Sequence, residues 1–118
     1  SCIAQRDRSN TALQALTLMN DVMFMETARE MGSDLAGMKR AVRPTATAAF
    51  RRVLTRPPSE DELSAIVEFF QQQHDRFAAN PDSAGKVAGP ETDHVIDSAS
   101  WTMVVRALFS LDEAVTRN

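Results

Sequence analysis

A single cysteine, Cys2, is all the thiol chemistry in these 118 residues. The chain therefore closes no internal disulfide, and it completes neither a cysteine-based zinc site nor a covalent haem attachment by itself. No apolar run approaches the ~20 residues that a bilayer-crossing helix needs. The first residues lack the basic, apolar and small-residue order of a secretion signal. The net charge is only −3, so there is no broad cationic field to hold a phosphate backbone, although Arg40, Arg43, Arg51, Arg52 and Arg56 are dense locally. Nucleic acid is not an expected partner. Two histidines leave room for few catalytic triads, and no Gly-x-Ser-x-Gly turn is present to present a serine nucleophile. Gly85, Lys86 and Gly89 lack the spacing of a phosphate loop and no Lys-Ser/Thr pair follows them. Sustained two-residue alternation is missing, which excludes a sheet core, and no segment repeats.

What is present belongs to a globular domain. Hydrophobic residues are 43% of the chain and charged residues 25%, close to the average that separates folded chains from disordered ones. A chain of this length buries roughly two thirds of the surface its unfolded form exposes, enough for one core. Residues 1–9 carry no periodicity and form a lead-in. Thr11 and Gln14 have capping-box spacing, and Asn20-Asp21 closes the short helix that they open. Phe24, Ala28, Met31, Leu35 and Met38 then fall on one helical face, which predicts a second helix over 22–38, weakened toward its end by Gly32 and Gly37. A third starts near Pro44, whose fixed φ suits a first helical turn, with Ala46, Ala49, Phe50, Val53 and Leu54 as its stripe. Pro57-Pro58 forces a turn, and Ser59 with Glu62 forms another capping box. The fourth helix carries Leu63, Ile66, Val67, Phe70, His74 and Phe77 on one face and ends at Asn80-Pro81. Residues 80–96, with two prolines and two glycines, read as one long loop. A last helix from about Asp97 buries Trp101, Val104, Val105, Leu108 and Leu111. The expectation is one all-α domain, a compact bundle of about five helices with a long loop before the last.

Three ordered segments carry a family resemblance. They are Cys2 with the lead-in and Asn10-Thr11-Ala12-Leu13-Gln14-Ala15-Leu16, then Ala49-Phe50-Arg51-Arg52-Val53-Leu54-Thr55-Arg56-Pro57-Pro58-Ser59, then Trp101 through Glu113. In these the chain resembles the C-terminal domain of unknown function, the PSD domain, of large planctomycete-type multidomain proteins that also carry cytochrome-c-like modules. It departs from that pattern at Ala12 and Val22, where proline is usual, at Thr55, where glycine is usual, and at Ser110, where asparagine is common. The threonine implies that its helix ends without a left-handed residue. The resemblance implies a C-terminal piece of a larger exported protein, resident in the periplasm or cell envelope, with any haem far upstream. It also implies a role for the whole proteins in polysaccharide use.

Candidate chemistry is sparse, and each candidate has a plain structural explanation beside it. His74 lies on an apolar stripe, where a histidine is either a hydrogen-bonded structural group or a shielded ligand contact. Asp75, Asp93, His94 and Asp97 could join it around a divalent cation, but their spacing matches no dense metal motif. Arg8, Asn10, Gln14, Arg56 and Arg106 interrupt packed segments. They tie helix ends together by charge-assisted bonds, or else they contact a ligand or a neighbouring domain. Trp101 is a core anchor unless its indole is exposed, which would make it a sugar platform. No cofactor is expected in this chain. The first expectation is a non-catalytic helical module that packs on other domains of its parent protein, weakly self-associating when isolated. The alternatives are a contribution to an enzyme or redox site through His74, Arg8 and Arg106, and a carbohydrate-binding module.

Overall fold

The computed structural model describes residues 22–89 and 94–117, with side chains through Asp112. The expected first helix from Thr11, the lead-in, and Arg8, Asn10 and Gln14 lie outside the described residues. Those described form five helices and no strand: α1 over residues 22–37, α2 Val42–Leu54, α3 Glu60–Ala79, α4 Pro81–Ala88 and α5 Val95–Arg117. The all-α class is as expected. The stretch 80–96 is only partly a loop, because α4 occupies its first half.

Helix α5 is the element around which the others assemble. It packs against α2, α3 and α4, and α1 meets it at Gly32, which is buried. A Cβ built on Gly32 would collide with the Thr102 hydroxyl, and it would lie 2.7 Å from the Thr102 nitrogen and 2.9 Å from the Ser98 oxygen. The absence of a side chain is what lets the two backbones approach so closely. Gly37, by contrast, faces open space. The main core joins Ala28 and Leu35 of α1, Phe50 of α2, Phe70 of α3 and Trp101 and Val105 of α5. A smaller cluster gathers Phe77, Ala84 and Ala99 at the other end. Buried hydroxyls are absorbed within their own helices: Thr45 donates to the Ala41 carbonyl at 2.9 Å and Thr102 to the Ser98 carbonyl at 2.6 Å.

Helix ends explain the boundaries. Ser59 Oγ accepts from the Glu62 N–H at 3.2 Å while Glu62 Oε1 accepts from the Ser59 N–H at 2.9 Å, the reciprocal cap that the spacing predicted. Arg56 donates to both Glu62 oxygens at 3.0 and 2.9 Å and lies 4.9 Å above the Phe50 ring. Pro81 opens α4 directly after Asn80, whose N–H ends α3 on the carbonyls of Arg76 and Phe77. At the far end of α4, Arg29 of α1 donates to the carbonyls of Val87 at 2.9 Å and Lys86 at 3.0 Å. These are acceptors that a helix end otherwise leaves open, and the cation also faces the negative end of the dipole.

The α2 terminus corrects the sequence-based expectation. Thr55 is left-handed after all, at φ 57° and ψ 26°, and its N–H reaches the Arg51 carbonyl at 2.9 Å. The αL closure is retained with a β-branched residue in the place that favours glycine. The proline turn that follows and the Arg56–Glu62 clamp hold the chain there regardless of that local preference.

Candidate functional site

The turn between α1 and α2 delivers Lys39 and Arg40 to the mouth of a cavity of about 430 Å³. Lys39 ends α1 in the left-handed region at φ 53°, with its N–H on the Ala36 carbonyl at 3.2 Å. Such a conformation disfavours any residue with a Cβ. Leu35, Ala36 and Val42 supply one apolar wall, and Phe70 and Trp101 supply aromatic carbon. The two rings lie 4.2 Å apart between centroids, inclined at 32°. Gln71, His74, His94 and Asp97 contribute the remaining polar groups.

His74 Nε2 and Asp97 Oδ1 are 2.9 Å apart, bridging α3 and α5. Their side chains are 36% and 50% exposed. The imidazole also leans on Phe70, 5.6 Å between ring centroids, so its orientation is fixed from two sides. Asp97 is thereby engaged with a partner inside the molecule. Neither Lys39 nor Arg40 forms an ion pair among the described residues. The cavity thus has walls of buried aromatic and aliphatic side chains, a carboxylate held by a histidine, and an exposed rim where Lys39 and Arg40 carry no ion pair among the described residues.

The structure gathers some of the sequence candidates and separates others. His74, His94 and Asp97 share the cavity, whereas Asp75 does not line it and Asp93 lies outside the described residues. Among the described residues, no group of three or more His, Cys, Asp or Glu is placed to hold a metal ion. Arg56 is occupied by Glu62, with its guanidinium pKa raised by that hydrogen bond. Arg106 is exposed on α5, with the Met103 sulfur 3.7 Å away, and does not line the cavity. Trp101 is 4% exposed, a core anchor with too little free face to stack a sugar ring. Lys39 was not singled out by sequence reasoning. The one signal available was a basic pair following the glycine that closes the α1 apolar pattern.

What the fold and cavity define is a small helical module with a mixed aromatic and basic pocket and with no serine, threonine or cysteine among the residues lining it. The chain belongs to the family PSD1, described as a protein of unknown function (DUF1553), which matches residues 1–70. That match takes in Lys39, Arg40 and Phe70 and ends before His74, Asp97, Trp101 and the third segment of resemblance. No curated protein and no solved structure matches the chain. No helix of the described residues is long and apolar enough to cross a membrane.

Proposed function

We propose that this domain is a non-catalytic helical module that packs against other domains of a large exported planctomycete-type protein. The observation that carries this reading is an apolar surface where the start of α1 meets the last described turns of α5. Val22 is 56% exposed, Met23 63% and Phe24 49%, whereas the exposed Leu111 is two residues from Phe109 and so lies on another face of α5. Phe24 sits against Phe109, 5.6 Å between ring centroids, so the two helices contribute to one patch. Large apolar side chains clustered in this way mark contact surfaces more often than isolated ones do. The contribution to an enzyme or redox site lacks a comparable support among the described residues: Arg106 does not join His74 at the cavity, Arg8 lies outside them, and the described lining offers no hydroxyl or thiol nucleophile. Export and envelope residence follow from the family resemblance.

Hydrogen exchange tests the proposal. Amides of residues 22–25 and 108–112 are compared between the present chain and the longer parent protein. Protection of both segments by at least about tenfold in the parent is expected, as amides that are covered and hydrogen-bonded open less often. Equal exchange in the two contexts rejects the packing role. Protection that rises with concentration of the isolated chain shows that the bare surface also self-associates, and it rejects the packing role only where the parent adds no protection of its own.

A further inference from the structure

We draw no further inference here: the strongest candidate, the exposed arginine face of α2 formed by Arg43, Arg51 and Arg52, leaves Arg51 alone without an ion pair among the described residues, since Arg43 pairs with Glu60 and Arg52 with Asp34, and nothing in the structure shows what such a face would take.

Discussion

Replacing Gly32 by alanine places a methyl group between α1 and α5. The new Cβ would lie 2.7 Å from the Thr102 nitrogen and 2.9 Å from the Ser98 oxygen, whereas ordinary carbon contacts are about 3.5–4.0 Å. Relief therefore needs the helices to part by roughly 0.8 Å, a gap that forfeits about a quarter to a half of the attraction across the interface. Both obstructing atoms are backbone atoms of α5, so no rotamer change removes the conflict. Overpacking of a core costs about 1–3 kcal/mol, and the backbone collision puts Gly32 at the upper end. Alanine returns up to about 1 kcal/mol through helix propensity, which leaves a net loss of about 2 kcal/mol. For a domain of this size that is on the order of 10 °C in melting temperature. Gly37 provides the internal control, because nothing lies within 4 Å of its Cβ position. There the propensity gain stands alone, and Gly37→Ala should be neutral or stabilising by up to about 1 kcal/mol. Thermal and urea unfolding followed by circular dichroism reads both variants. Thr102→Ala added to Gly32→Ala should rescue little, since it clears the hydroxyl and leaves the nitrogen and the Ser98 carbonyl in place. Changes of the same sign at positions 32 and 37, or full rescue by the threonine deletion, would refute the close-approach argument.

At the α2 terminus, Thr55→Gly should stabilise the fold by roughly 0.5–1 kcal/mol, because glycine removes the left-handed penalty of about 1–2 kcal/mol and returns part of it as unfolded-state entropy. Thr55→Ala keeps a Cβ at φ 57° and should gain much less, a contrast visible in urea midpoints. Arg29→Ala should cost about 1–2 kcal/mol and speed amide exchange selectively over residues 81–88. Arg29→Lys should restore only part of this, because its donors all sit on one nitrogen whereas Arg29 reaches the two carbonyls from separate nitrogens of a planar fork. Acid dependence centres on Glu62, whose carboxyl falls from its ordinary 4.5 to about 2, chiefly through the Arg56 hydrogen bond and then the Ser59 N–H. Because the folded value is the lower one, the contribution is complete above 4.5 and is lost as pH falls toward 2. Melting temperature should decline over that window, and Glu62→Gln should flatten that part of the curve. An unchanged slope in the variant would remove Glu62 from the account.

The parts of the fold written in neighbouring residues were legible. Ser59 and Glu62 are three residues apart, and both bonds of the cap that their spacing implies are present. The apolar period placed Leu35, Phe50, Phe70, Phe77 and Val105 in the interior, because a stripe at 3.6-residue spacing must be buried wherever the partner helices lie. The same period misplaced Phe24, Met38 and Leu111, which are exposed, since periodicity identifies a face but not how far along it a neighbour extends. Helix α4 was hidden by its composition. Pro81 and Gly85 read as loop punctuation, yet proline at a first position favours a helix, and Arg29, more than fifty residues earlier, closes the other end.

The candidate cavity was legible in part, since His74, His94 and Asp97 were grouped from the sequence and do share it, although they form no metal-binding set among the described residues. His74 and Asp97 were each visible as polar residues on α3 and at the start of α5, but their pairing depends on how those helices cross, and spacing along one chain segment carries no such information. Lys39 and Arg40 come from a turn whose left-handed residue breaks the usual preference for glycine. Both are exposed, so leaving them without an ion pair among the described residues costs the fold little desolvation. Asp97 is held by a hydrogen bond to His74 at 2.9 Å, which fixes the crossing of α3 and α5 at this point. Left-handed closure without glycine is shared by Lys39 at φ 53° and Thr55 at φ 57°, so at the ends of both α1 and α2 the tertiary arrangement overrides a local preference that the sequence alone would have assigned to glycine.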